Sequence, residues 1–174
     1  MEQVHGADVA VVDTPRSPVP VADALVTAAP HLPLAVVTAD CAPIAMASEG
    51  AVGVVHAGHR GLLAGVIEHA VDALRSLGAG DVRAVLGPCI RASRYEFGEH
   101  DLASLVDAFG PSVSSRTEWG TPALDIAAAV RIALARAGVE RFHDTLLCTS
   151  ASPDYFSYRR DGVTGRQATI AVLQ

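Results

Sequence analysis

Lysine is absent from the 174 residues, so all 13 basic side chains are arginine. This absence excludes a Walker-type phosphate loop and a pyridoxal-phosphate Schiff base, because both require a lysine amine. The 19 acidic residues give a net charge of −6, and no basic tail or stripe occurs. We therefore expect no nucleic-acid partner.

Cysteine is scarce, and long apolar runs are missing. Cys41, Cys89 and Cys148 are an odd number and too few for a disulfide scaffold. No apolar stretch reaches the roughly 18 residues that a membrane span needs, and the first five residues do not resemble a signal peptide. Half of the residues are nevertheless hydrophobic, which is enough for a core. The composition favours a reduced, cytoplasmic enzyme with no membrane partner.

Hydrophobic periodicity predicts a mixed α/β fold, with one sheet region flanked by helices, in a single domain over residues 1–174. Short apolar runs predict strands at Asp8–Val12, Ala24–Thr27, Leu34–Thr38, Ile44–Ala47, Ala51–His56, Val82–Leu86, Thr145–Thr149 and Gln167–Leu173. Helical spacing of apolar residues predicts helices at Gly61–Leu77, at Asp101–Phe109 and from Thr121-Pro122 to Gly138. The run Leu34–Thr38 does not alternate, which is typical of a strand buried on both faces. Glu49-Gly50 fits a hairpin turn.

His5, Cys41 and His56 each lie at a predicted strand end, beside small residues. Two imidazoles and one thiolate form a suitable zinc set, and three protein ligands leave a fourth coordination position open. The long gaps between the three residues make their spacing weak evidence. A buried Cys41 packed as a small hydrophobe, with both histidines hydrogen-bonded, is the alternative that stays open.

The segment from His56 to Gly61 joins an apolar strand to the start of a helix, and Gly58 and Gly61 permit an unusual backbone path. Free N–H groups, the positive helix end and the Arg60 guanidinium would converge there on an anion such as phosphate. A plain turn with Arg60 in a surface ion pair explains the segment equally well.

Three arginines lie close together near the C-terminus, interleaved with aromatic residues and glycine. Arg159, Arg160 and Arg166 could bind an anionic or planar ligand. A solvated hairpin in which Asp161 pairs with an arginine is the alternative.

Several short motifs, taken in order, closely resemble the YfiH-like family, once labelled polyphenol oxidases or laccase-domain proteins and now understood as purine nucleoside phosphorylases. The matching segments are Gln3-Val4-His5-Gly6, Ala22-Asp23-Ala24-Leu25-Val26-Thr27, Thr38-Ala39-Asp40-Cys41-Ala42-Pro43, Val55-His56-Ala57-Gly58-His59-Arg60-Gly61, Leu86-Gly87-Pro88-Cys89-Ile90, Tyr95-Glu96-Phe97-Gly98 and Phe156-Ser157-Tyr158-Arg159-Arg160-Asp161-Gly162. They cover nearly the whole chain.

The resemblance implies that His5, Cys41 and His56 are zinc ligands. It also implies phosphorolysis of adenosine, inosine, guanosine and methylthioadenosine, with adenosine deamination as a second activity. The fold that it implies is the mixed α/β architecture shared with the cytotoxic-necrotizing-factor deamidase domain. Cytoplasmic purine nucleosides and phosphate would then be the partners.

The chain departs from the family pattern at three places, one of which is the run Arg91-Ala92-Ser93-Arg94, where the family usually has small residues and cysteines. His59 stands where the family usually has tryptophan, which removes an aromatic wall and adds an imidazole near the ligands. The family also normally has several dozen residues before the Gln3-Val4-His5-Gly6 block, so either the start is misassigned or the domain is shortened at its N-terminus and lacks its first strands. An exposed sheet edge there would favour a homo-oligomer.

We assign catalytic roles to Cys41, His56, Asp40 and Arg60. Asp40 is a candidate acid/base or ligand-supporting group beside Cys41, and the Asp40 and Arg60 roles are inferred from their positions rather than implied by the resemblance. Substrate binding is assigned to the set Arg60, His59, Arg159 and Arg160.

Three other functions are weighed against the zinc phosphorylase. A metal-free cysteine hydrolase would use Cys41 as nucleophile and His56 or His5 as base. Copper-based phenol oxidation is disfavoured, because the chain has no His-x-His pair and few histidines near one another. The last alternative is an inactive metal-binding remnant.

Overall fold

A computed structural model describes residues 1–15 and 17–174. The strands are β1 Val9–Val11, β2 Ala24–Thr27, β3 Leu34–Thr38, β4 Ala42–Ser48, β5 Ala51–Ala57, β6 Arg83–Leu86, β7 Ser114–Arg116, β8 Pro122–Leu124, β9 Arg141–Asp144 and β10 Gln167–Ala171. The helices are α1 His59–Leu63, α2 Val66–Ser76, α3 Glu99–Phe109, α4 Ile126–Arg136 and α5 Tyr158–Asp161. Within the described residues, none of these helices has the length and apolar character needed to cross a membrane.

The main sheet has six strands in the order β1-β2-β5-β4-β6-β9. It is mixed, because β1 pairs with β2 and β6 with β9 in parallel, while the inner pairs are antiparallel. Strands β3 and β10 form a separate antiparallel pair, as do β7 and β8. The predicted turn at Glu49-Gly50 is confirmed, since Gly50 has φ +85° between β4 and β5. This architecture confirms the expected mixed α/β class.

Helix α2 covers the main sheet with one apolar face. Its buried residues are Val66, Ile67, Ala70, Val71 and Leu74, and they pack with the sheet residues in the larger hydrophobic core. A single helix over Gly61–Leu77 is wrong: the chain forms α1, turns at Gly65 with φ +82°, and then forms α2. That backbone angle suits glycine and interrupts the helical hydrogen bonds.

The helix predicted to begin at Thr121-Pro122 starts later. Pro122 opens β8, and α4 begins only after Asp125, whose carboxylate accepts a hydrogen bond from the Ala128 N–H at 2.9 Å. Asp125 rather than Thr121 therefore caps this helix.

Two strand predictions also need correction. The stretch Thr145–Thr149 does not form a strand. The parallel partner of β6 is the preceding segment, β9. Strand β3 alternates between buried and exposed residues instead of being buried on both faces, with Ala35 and Val37 on the open face. Leu34 and Val36 pack in the smaller hydrophobic core, and β10 pairs beside β3 without covering its other face.

The sheet topology gathers the predicted ligands at one end. Cys41 immediately precedes β4, and His56 lies near the end of β5, where the β4–β5 register places it opposite Pro43. Strand β2 pairs with the other edge of β5, and the loop that carries His5 runs beside its start. The start of β2, the end of β5 and the start of β4 therefore lie side by side at the same end of the sheet.

Candidate metal centre and its cavity

His5, Cys41 and His56 form a tight cluster. One ligand atom from each lies within 4.8 Å of the others, close enough for a single ion to contact all three. The sequence therefore identified three residues that the fold does bring together, although they come from two loops and a strand.

Asp23 orients the imidazole ring of His56 through a hydrogen bond with its Nδ1. The Asp23 side chain is fully buried, and its Oδ1 lies 2.7 Å from Nδ1 of His56. A carboxylate accepts hydrogen bonds only, so the proton belongs on Nδ1, and the lone pair of Nε2 remains for a metal. This carboxylate–histidine arrangement is the usual support for a metal ligand.

The same carboxylate holds the loop that carries His5. It accepts hydrogen bonds from three successive backbone N–H groups, those of Val4, His5 and Gly6, at 3.2, 3.0 and 2.6 Å. His5 adopts φ +59°, a conformation that non-glycine residues rarely take without such support. Asp23 thus fixes both histidines of the cluster, and burial together with nearby positive charge lowers the pKa of His5. The neutral imidazole that can bind a metal is favoured.

Gly58 provides the space for this arrangement. A Cβ atom at this position would lie 2.7 Å from Nδ1 of His5 and 3.4 Å from Sγ of Cys41. Any larger residue would displace His5, since a 2.7 Å approach is far inside van der Waals contact.

Burial raises the pKa of the Cys41 thiol to about 11, and the neighbouring Asp40 adds to the effect. The positive charge of Arg166 opposes it. A thiol with this pKa is protonated at neutral pH, so a nucleophilic role without a metal would require a neighbouring base to remove the proton. Two imidazoles and a thiol that a cation would ionise match the ligands that zinc prefers.

A cavity of about 540 Å³ opens directly beside the cluster, with all three cluster residues in its wall. Tyr95 and Tyr158 supply aromatic surface to this cavity, and Arg159 and Arg166 supply positive charge. Its volume is typical of sites that bind small organic ligands. The arrangement can therefore present a metal, flat aromatic surface and cationic groups to one ligand.

Asp40 lines the cavity but has both carboxylate oxygens occupied. Oδ1 accepts from the Thr149 hydroxyl at 2.6 Å, and Oδ2 accepts from the Arg159 backbone N–H at 2.7 Å. These bonds tie the wall formed by α5 to the turn that carries Cys41. They favour a positioning role for Asp40 over proton transfer.

The other predicted site residues lie outside the cavity wall. Arg60 is exposed and does not line the cavity. His59 packs edge-on against Phe97, with ring centroids 5.2 Å apart. All the donors of Arg160 are directed to the protein, to Asp161 and to carbonyl oxygens of Thr149, Ser152 and Tyr155. The structure therefore gives Arg160 a role in holding the C-terminal loop.

Asp23 and Tyr95 are site residues to which sequence reasoning assigned no role, whereas Arg166 was named only as one of three arginines that could bind an anionic or planar ligand. A signal for Asp23 was available, because a lone carboxylate beside the apolar run Ala24–Thr27 must find buried donors. Nothing in the C-terminal segment distinguished Arg166 from Arg159 and Arg160 as the arginine that binds a ligand.

Comparison with known proteins identifies the family to which this fold and site belong. The family model described as "Multi-copper polyphenol oxidoreductase laccase" matches residues 1–174, so the chain belongs to that family. Solved relatives share the architecture. The YfiH protein of Bacillus licheniformis has a TM-score of 0.90 and 29% identity over 99% of this chain and 73% of its own. YlmD of Geobacillus stearothermophilus has a TM-score of 0.85 and 31% identity over 99% and 72%.

Curated relatives carry a more specific name. A protein of Streptomyces coelicolor named purine nucleoside phosphorylase is 48% identical over 174 residues, which are 97% of this chain and 72% of the relative. A protein of Mycobacterium tuberculosis with the same name is 42% identical over 179 residues, which cover 100% of this chain and 71% of the relative. The expected family is therefore confirmed.

Proposed function

We propose that the protein is a zinc-dependent purine nucleoside phosphorylase acting on adenosine, inosine, guanosine and methylthioadenosine, with adenosine deamination as a second activity. The observation that carries this proposal is the His5–Cys41–His56 cluster in the wall of a cavity with paired tyrosines and arginines. The names of the curated relatives support the same reaction class.

In phosphorolysis, a phosphate oxygen forms a bond to C1′ of the ribose while the bond from C1′ to N9 of the purine breaks. The bonding electron pair leaves with N9, which takes up the proton that hydrogen phosphate releases. Ribose 1-phosphate and the free purine are the products. The protein must therefore hold an anion and a nucleoside together and supply a hydrogen-bond donor to the departing base.

The residues of the cavity match these needs. A zinc ion held by His5, Cys41 and His56 would supply a fixed positive charge and Lewis acidity in the wall. Tyr95 lines the cavity, and the guanidinium carbon of Arg159 lies over its ring, 5.2 Å from the centroid. Burial raises the pKa of Tyr95, so its hydroxyl keeps its proton and can donate a hydrogen bond to a purine.

The copper chemistry named in the family description has less support from these residues. Across residues 1–15 and 17–174, one group of potential ligands lies close enough to hold an ion, and it contains three residues. A multicopper centre needs several such groups. A thiolate with two imidazoles and an open position suits zinc.

Substitution of Cys41 tests the proposal. Cys41→Ala removes one of three ligands, so we expect zinc content to fall from about one ion per chain to a small fraction, with loss of both activities. Zinc is measured by elemental analysis on tag-free protein, and the activities by release of hypoxanthine from inosine and of ammonia from adenosine. Cys148→Ala is the matched control, because Cys148 lies outside both the cluster and the cavity wall. Full activity in Cys41→Ala, or a folded wild type without zinc, would contradict the proposal.

A further inference from the structure

The cavity beside the metal cluster has an excess of positive charge. Its wall contains the guanidinium groups of Arg159 and Arg166 and one carboxylate, that of Asp40. Asp40 accepts from the Thr149 hydroxyl and the Arg159 backbone N–H, and among the described residues no ion pair joins its carboxylate to either guanidinium. The cavity therefore favours an anionic ligand.

Arg166 has the free edge that such a ligand needs. Its Nη1 donates to the backbone carbonyls of Thr164 and Gly165 at 3.0 and 2.8 Å, which anchors the guanidinium. Its Nε and Nη2 have no acceptor within the described part of the chain. These two nitrogens form one planar side of the guanidinium, the geometry that binds two oxygens of a phosphate at once.

The other candidate arginines lack this combination. Arg160 directs its donors to the protein, and Arg60 lies outside the cavity wall. Arg159 donates Nη1 to the Glu96 carbonyl at 2.7 Å and stacks on Tyr95, so its place is beside the aromatic surface.

We propose that Arg166, and not Arg60, binds the inorganic phosphate that the reaction consumes, through its Nε and Nη2 groups. Arg159 adds a second positive charge to the same cavity. The identity of this anion as a co-substrate rests on the proposed function. The phosphoryl group of a nucleotide has the same binding chemistry, so the test includes adenosine monophosphate.

The kinetic test compares Arg166→Gln with wild type. Glutamine keeps a polar side chain but loses the charge and the paired donors, so KM for phosphate should rise by about tenfold or more, with KM for inosine changed less than about twofold. Arg141→Gln is the matched control, because Arg141 pairs with Asp81 outside this cavity. Arg60→Gln tests the rival assignment. An unchanged KM for phosphate in Arg166→Gln, or a rise in Arg60→Gln alone, overturns the proposal.

A binding measurement separates this inference from the proposed function. Inorganic phosphate should raise the melting temperature of the zinc-loaded wild type and leave that of Arg166→Gln unchanged, while zinc content is equal in both. If this pattern holds in a wild type that cleaves no nucleoside, the phosphate site stands and the phosphorylase proposal fails. If adenosine monophosphate alone produces the Arg166-dependent shift, the ligand is a nucleotide and the inference is overturned.

Discussion

Asp23→Asn is the perturbation that most directly tests how the metal cluster is held. Oδ1 of Asp23 accepts from His56 Nδ1 and the His5 N–H, and Oδ2 accepts from the N–H groups of Val4 and Gly6. Asparagine has nearly the same shape, but one of its two terminal atoms is a donor. Whichever way its amide turns, two of these donors then face an N–H₂ group and lose their acceptor.

The magnitude follows from that count. A buried donor left without an acceptor costs about 1–3 kcal/mol, so two such donors lower the free energy of unfolding by about 2–6 kcal/mol. Loss of a carboxylate that supports a ligating histidine typically weakens metal binding by about 10- to 100-fold. Both effects are expected in Asp23→Asn because one carboxylate supports the fold of the His5 loop and the orientation of His56.

Two assays measure these effects separately. Urea unfolding in the presence of a chelator gives the stability of the metal-free protein, and competition with a chromophoric chelator gives the zinc affinity. Asp81→Asn is the control, because Asp81 forms an exposed pair with Arg141, which contributes little. Zinc affinity in Asp23→Asn equal to that of wild type would refute the reasoning.

Two further predictions concern the shape of the cluster and the stability of the fold in acid. Gly58→Ala places a Cβ 2.7 Å from Nδ1 of His5, so zinc affinity measured by chelator competition should fall at least about tenfold. Gly80→Ala is the control and should match wild type, because no atom lies within 4 Å of the added Cβ. An unchanged zinc affinity in Gly58→Ala would show that the His5 loop can move away. Burial raises the pKa of Asp144, but the paired hydrogen bonds from Arg91 at 2.6 and 2.9 Å outweigh it and leave the pKa below its usual value. The pair therefore stabilises the fold above about pH 4, the unfolded pKa, and this contribution is lost as pH falls through the folded value. Asp144→Asn should lower the urea-derived stability by about 2–3 kcal/mol at pH 7 and by progressively less below pH 4, and a deficit independent of pH would contradict the assignment.

Local sequence patterns were sufficient for the elements whose signals lie within a few residues. Leu34–Thr38 has the same bounds in prediction and structure, and α3 begins two residues before the predicted Asp101. Both depend on apolar periodicity and nearby polar residues, which act over one or two turns. The predictions failed at Pro122, where a helix-start signal was overridden by pairing of β8 with β7. Tertiary pairing can outweigh local propensity because it adds hydrogen bonds that the isolated segment does not have.

For the site, residue chemistry and motif resemblance were enough to select His5, Cys41 and His56, and the structure places them together. Arg60 was selected for phosphate because it lies at the strand-to-helix turn after His56, where free N–H groups and the helix N-terminus would meet an anion. The cavity wall contains instead Arg166, more than a hundred residues further along the chain.

Asp23 likewise acquires its role only through contacts with residues 17 to 33 positions distant. The types of side chain, and hence the kind of chemistry, are therefore determined by the sequence alone. Which charged groups meet in the cavity depends on how the strands pair and where the loops between them close, because interactions between distant segments form only after the chain has folded.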